Sequence, residues 1–495
     1  MSNGITLVIL SDNFLNTLVK KSSNLNRKKL LFTLKRAGLF GLFITVSIFS
    51  SFSSVNIGNF LFSFLLIGFF IFNFYLFGDL SEYLFKVHYK VTSSIDRLIS
   101  RTLLGYFLVV CVKFFFNSSF FSFFSYLFLA INFLYFSYPT RSRLYGLSVK
   151  SHFSEFRFLD KLEKTTFFLI IFFFLFSIPD NSNEVGDVFI DGVFGHILSL
   201  IKVNLNTSLV LVSYKYLFYF SLTLVCLYSV FRNFFSRRVC LFGILLLQTN
   251  WSFYKLYSGN LDILPYCALV SALLWLCLFA IKGLSYRLGL LSGLFLPASF
   301  ALNYNFLFSC TLGFLFIFFT NRKKGAWYNL QFFKYALMGL LFYLIMYLNV
   351  ERAFFEGFYT LPELLDSTVQ VLKRKAFFIN VFLSLVVLSI SPVLGNIKLS
   401  KWASANKRLV WVVFSLLIYW CAFSYVRVSP LDSMLSVFII ISVFLSLPVI
   451  DFVFWSLNPF RDMKTGVFFL FLSFVLLDSH LEGRIKVFLR FFSQM

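Results

Sequence analysis

The sequence predicts an all-α, polytopic membrane protein of about twelve to fifteen spanning helices, with an acidic outer loop and a broken-helix hairpin. Three observations carry that expectation. Hydrophobic residues make up 59% of the 495-residue chain and charged residues 13%, against roughly 45–50% and 25% in soluble domains. The apolar residues come in repeated runs of about 17–22, the length at which a helix crosses about 30 Å of hydrocarbon. These runs are apolar on both parities, whereas a membrane β-strand alternates over about ten residues. With a mean hydropathy of +0.83, the chain has too little polar surface to cover itself in water.

The elements follow in order. Residues 1–36 are polar to amphipathic and carry Lys20, Lys21, Arg27, Lys28, Lys29, Lys35 and Arg36. This cluster predicts a cytoplasmic N-terminus with no cleavable signal peptide before the first span. Spans 37–54 and 60–77 form a hairpin, as do 103–116 and 119–138, so that 37–138 reads as a four-span N-terminal extension. Basic stretches separate the hairpins: Lys86, Lys90, Arg97 and Arg101, then Arg141, Arg143, Lys150, Arg157, Lys161 and Lys164. The next span, 166–178, is short and ends at Pro179.

The segment after it differs in kind. PDNSNEVGDVFIDGVFGHILSLIKVNLNTS, residues 179–208, holds Asp180, Glu184, Asp187 and Asp191 against Lys202. The basic-loop asymmetry places it outside. Val193, Phe194, Ile197, Leu198 and Ile201 recur at helical spacing, which suits an amphipathic helix in the interface.

Spans 209–231 and 239–249 return the chain inward to Arg232, Arg237 and Arg238 and outward again. A short outer turn is expected over 254–262, then a span at 263–281. Residues 288–319 are interrupted by Pro297 and by Asn303-Tyr304-Asn305, and predict two half-helices that need shelter by protein or water. Further spans fall at 332–348, 376–394, 409–423 and 434–450. Outer acids Glu351, Glu356, Glu363 and Asp366 lie between the first two of these, and Arg427 lies in the late outer turn. A weaker run at 467–477 leads into an amphipathic tail, 451–495 forming the C-terminal region.

Several function classes are excluded. The net charge of +23 is scattered in short clusters between apolar runs, as topology signals are, so nucleic acid is not a partner. The seven cysteines share no metal or redox spacing. The chain has no P-loop, GxSxG or HExxH, and its four histidines are far apart.

The acidic outer loop is the best site candidate, set against the plainer reading that acids are tolerated in outer loops because the positive-inside rule concerns Lys and Arg. Asp187 and Asp191 are four residues apart, so one helical turn puts both carboxylates on one face, with His196 nearby. Such a pair binds a divalent cation through oxygen ligands, or supplies a general base. No cofactor is certain beyond that possible divalent cation. Arg427 is placed either to meet an anionic group such as a lipid phosphate or to snorkel at the interface. Lys113 and Lys215 sit inside apolar runs, where a base marks a functional site or snorkels to the interface.

Residues 160–450 resemble a GT-C superfamily glycosyltransferase, the multispan class that uses polyprenyl-phosphate sugars. The resemblance rests on the short span followed by the acidic outer loop, and on LYSGNLD at 256–262 followed by a span and the Gly-rich broken hairpin. YVRVSP at 425–430 is similar to that class's late arginine-plus-proline turn. The chain departs from the pattern in having Asn303 where many relatives carry a lysine, and in having four spans before the acidic loop.

The resemblance implies inverting sugar transfer at the outer face of a bacterial inner membrane. Asp187 or Asp191 would be the general base. Arg427, His196, Asn260 and Asp262 would bind substrate, and Asp187 and Asp191 would hold any metal. The partners are then membrane lipid and a polyprenyl-phosphate sugar donor. The alternatives are a secondary transporter or flippase for a lipid-linked or anionic solute, and a polysaccharide polymerase.

Overall fold

The computed structural model describes residues 68, 72–79, 94–115, 126–127, 130, 158–179, 215–261, 263–282, 431–456, 461–477 and 479–494. Among them the regular structure is helical, with no strand, as the composition predicts. Among the described residues no helix is long and apolar enough to cross a membrane.

Residues 72–79 are helical and pack backbone to backbone against α1 (Ser94–Phe115). A Cβ on Gly105 would lie 1.7 Å from the Phe74 carbonyl oxygen, and one on Gly78 would lie 1.8 Å from that of Arg101. Only glycine permits this approach. Arg97 and Arg101, expected in a loop, therefore belong to the first turns of α1. Arg101 turns back to Asp79 at 2.7 Å and donates to the Tyr75 hydroxyl at 2.6 Å.

The expected short span is α2 (Lys161–Leu175). It begins with a capping box: Asp160 Oδ1 accepts from the Glu163 N–H at 2.7 Å, and Glu163 accepts from the Asp160 N–H at 3.0 Å. These bonds satisfy two of the backbone donors that any helix start leaves open. A π-helical turn, Tyr216–Phe220, precedes α3 (Ser221–Arg232), and all five of its residues are buried. A reversal through Asn233–Ser236 leads to α4 (Arg237–Thr249), whose residues from Val239 onward are all buried.

The outer turn expected at 254–262 is mostly helix instead. Asn250 leaves the helical region, and its side chain accepts from the Phe253 N–H at 2.9 Å. That N-cap starts α5 (Trp251–Gly259), which buries Phe253, Tyr254, Leu256 and Tyr257. Local capping by a single asparagine thus turns a polar-looking stretch into an amphipathic helix. Asn260 and Leu261 follow its C-terminal end.

The helical backbones of α6 (Ile263–Lys282) and α7 (Leu431–Ser456) run 20 and 26 residues. α8 (Arg461–Leu477) and α9 (Leu481–Gln494) end the chain, joined through His480 at φ 44°. α3 packs on α6, and α4 lies among α2, α7 and α8. Gly243 of α4 lets Leu447 of α7 approach, since a Cβ there would meet its Cδ2 at 2.7 Å. α1 joins this bundle through Asp96, which accepts from Ser229 at 2.5 Å and from the Trp275 indole at 2.8 Å.

Candidate functional site

α2 and α4 run parallel and in register. At their N-terminal ends Arg237 of α4 contacts Glu163 at 2.6 Å, and Arg238 pairs with Asp160. At their C-terminal ends Arg484 of α9 bridges Ser177, which follows α2, to the last carbonyls of α4.

Arg484 is the most constrained charge among the described residues, with 0% of its surface exposed. Its Nη1 donates to Ser177 Oγ at 2.5 Å and to the Gln248 carbonyl at 2.9 Å. Nη2 donates to the Thr249 carbonyl at 3.2 Å, and Nε to the Ser479 carbonyl at 2.8 Å. The guanidinium stacks over the Tyr254 ring, 4.5 Å from its centroid. Helix α4 ends in the interior, so its final carbonyls have no water to meet; the planar five-donor fork supplies what they lack. A positive charge at a helix C-terminus also complements the macrodipole.

Three tyrosines fix the start of the acidic segment to the same place. Tyr216 donates to the Phe174 carbonyl at 2.5 Å, Tyr257 to that of Ser177 at 2.9 Å, and Tyr254 to that of Ile178 at 3.3 Å. Tyr216 follows the acidic segment in the chain and Phe174 precedes it, so the first of these bonds draws its two ends together. Burial pushes the Tyr257 hydroxyl far above its ordinary pKa, against the pull of the Arg484 charge, so it is a permanent neutral donor. Gln248 is buried with both Oε1 and Nε2 unpartnered. The node thus combines a cation, fixed hydroxyl donors and one unsatisfied carboxamide where α2, α4, α5 and α9 meet.

Of the residues singled out in the sequence, Asp187, Asp191, His196, Asp262 and Arg427 lie outside the described residues, as does the hairpin 288–319. Asn260 is described and is a helix boundary. Its N–H bonds the Leu256 carbonyl at 3.1 Å, and its own carbonyl accepts from the Ile263 N–H at 3.3 Å. Lys215 is buried just before the π-helical turn. No cluster of three or more metal-ligating side chains occurs among the described residues, and Cys226, Cys240 and Cys267 are buried free thiols.

Sequence reasoning missed Arg484. Its signal was spacing: Arg484 and Phe488 are four residues apart on one face of the tail helix, and Phe488 packs on Phe176 with centroids 4.9 Å apart. Comparison with family models, with curated proteins and with solved structures finds no match to the chain.

Proposed function

We propose that this chain is an integral membrane glycosyltransferase that moves a sugar from a polyprenyl-phosphate donor to an acceptor at the outer membrane face. One observation carries the reading. The described residues on either side of the acidic segment are tied together: Tyr216 after it donates to Phe174 before it, and Tyr254 and Tyr257 hold Ile178 and Ser177 beside the Arg484 node. A segment whose flanks are fixed on rigid helices is a suitable carrier for a catalytic carboxylate.

In the proposed reaction, Asp187 or Asp191 takes the proton of the acceptor hydroxyl as its oxygen attacks the anomeric carbon. The bond from that carbon to the phosphate oxygen breaks, and the electron pair leaves with the polyprenyl phosphate. Arg427 neutralises the departing phosphate through a charge-assisted hydrogen bond. Attack opposite the leaving group inverts the anomeric centre.

The membrane part of the reading is supported by exposed apolar side chains between two charged ends. On α2 these are Phe168, Ile171 and Leu175; on α8 they are Phe469, Leu470 and Leu476.

Asp187→Asn and Asp191→Asn test the chemistry, because the amide keeps size and loses basicity. The base variant should lose about 10²–10⁴ in transfer rate with expression and detergent stability near wild type. Arg427→Ala should chiefly weaken use of the phosphate-bearing donor. Unchanged transfer by both carboxylate variants sinks this assignment.

A transporter is the second reading, favoured by the break at Asn250 and by the π-helical turn packed on α5, where Phe220 and Tyr257 centroids are 5.6 Å apart. Discontinuous helices and π turns are frequent at solute sites. Solute exchange across liposomes without sugar transfer from any polyprenyl-phosphate donor would select it.

A further inference from the structure

We infer that the exposed apolar residues of α2 and of α8 contact lipid acyl chains and are matched to a bilayer locally thinned to about 20 Å, well under the usual 30 Å or so. This rests on the membrane reading and adds a lipid partner of defined geometry to it.

Three observations meet here. The first is distance between charged ends. α4 is 13 residues long, or about 20 Å at the α-helical rise. It carries the Arg237 and Arg238 pairs at one end and the Arg484 node at the other. α2 runs in register beside it, from the Asp160–Glu163 capping box to Ser177.

The second is exposure. Phe168, Ile171 and Leu175 are 67%, 46% and 41% exposed and recur at i, i+3 and i+7, one stripe of α2. Phe469, Leu470 and Leu476 are 49%, 50% and 37% exposed on α8, whose apolar part, 467–477, amounts to about 16 Å of helix. Both helices pack on α4.

The third is the contrast with the long helices. The side chains described on α6 and α7 are buried or half-buried. Among the described side chains of α2, α6, α7 and α8, the large apolar ones that are exposed therefore belong to α2 and α8. Charged bands border it: exposed Lys161 and Lys164 at one end of α2, and exposed Lys486 and Arg490 of α9 beyond the other. Water does not suit large aromatic and aliphatic side chains in such a stripe, and a band of charge at each end is the pattern of a lipid-facing wall. A hydrophobic stretch shorter than the bilayer is accommodated by thinning it.

The test uses the purified full-length chain in vesicles of monounsaturated phosphatidylcholine with acyl chains of about 14, 18 or 22 carbons. The thermal unfolding midpoint should be highest in the shortest-chain lipid and fall by several degrees to the longest. A flat series, or a midpoint rising with chain length, overturns the inference. A photo-crosslinking residue at position 171 should label lipid; labelling of a second copy of the chain overturns it too. Ile171→Lys should lower recovery in vesicles several-fold while Phe168→Leu leaves recovery unchanged, and equal recovery of the two argues against a lipid-facing stripe. Extraction of wild type by alkaline carbonate would instead remove the membrane reading itself, a result distinct from a bound protein that favours thick bilayers.

Discussion

The two ends of the α2–α4 pair solve the same problem with opposite electrostatics. At the N-terminal ends, four charged side chains pair acid with base, and the Arg238–Asp160 pair keeps 22% and 43% of its side-chain surface in contact with the surroundings. At the C-terminal ends a single arginine is wholly enclosed, and its contacts with Ser177, Gln248, Thr249 and Ser479 are to carbonyls and a hydroxyl. Exposed pairs are screened and contribute about 0–1 kcal/mol. A buried fork is different, because removing it strands acceptors that have no access to water. Charge count therefore says little about which end holds the structure together; enclosure decides it.

Substitutions at the two ends should separate accordingly. Arg484→Met keeps much of the side-chain length and strands the Gln248, Thr249 and Ser479 carbonyls. At about 1–3 kcal/mol for each buried group left unsatisfied, the loss should be at least about 3 kcal/mol, read as an unfolding midpoint in detergent. A loss below about 1 kcal/mol would mean that water reaches the node and that the comparison fails.

Tyr257→Phe removes a single donor, to the Ser177 carbonyl. It should cost about 1–2 kcal/mol. Its effect should be smaller than additive when combined with Arg484→Met, since both act on Ser177. Full additivity would show that the two contacts hold Ser177 independently.

Arg238→Met should change stability least, by about 0.5 kcal/mol or less, and less still at high salt. Acid sharpens the contrast. Burial alone would raise the Asp160 pKa, but the hydrogen bond from the Glu163 N–H and the charges of Arg238 and Arg237 outweigh it and hold the carboxyl below its usual range. A depressed carboxylate stabilises the fold above the unfolded value of about 3.9 and loses that contribution as pH falls through the lower folded value. Hydrogen exchange at the start of α2 should therefore quicken only below about pH 4. The Arg484 contacts end on carbonyls and a hydroxyl, which do not titrate, so protection of the α4 C-terminus should persist. Equal acid sensitivity at both ends would break the distinction.

Much of the helical framework is legible in the sequence. The runs 166–178, 239–249, 263–281, 434–450 and 467–477 correspond to α2, α4, α6, α7 and α8, because an unbroken apolar stretch bounded by charges has few other ways to satisfy its backbone. The failures are local. α5 was hidden because its start depends on one asparagine side chain reaching the Phe253 N–H. Asn260, singled out for substrate binding, by contrast also bounds α5, since polar turns and helix boundaries use the same residue types.

What the sequence alone determined is one-dimensional: helix, the order of apolar and charged stretches, and the placing of acids in the segment between α2 and α3. Each follows from composition and spacing along a single stretch of chain. Which charge becomes the keystone was decided only by tertiary structure. Arg484 sits in a tail that also carries Lys486 and Arg490, and its spacing from Phe488 places it on the apolar face without naming what it meets there. Its role exists because Ser177, Gln248, Thr249 and Ser479, up to 307 positions away in the chain, meet it where α4 ends in the interior. Unsatisfied carbonyls are a property of where helices end in space, and that is settled by packing.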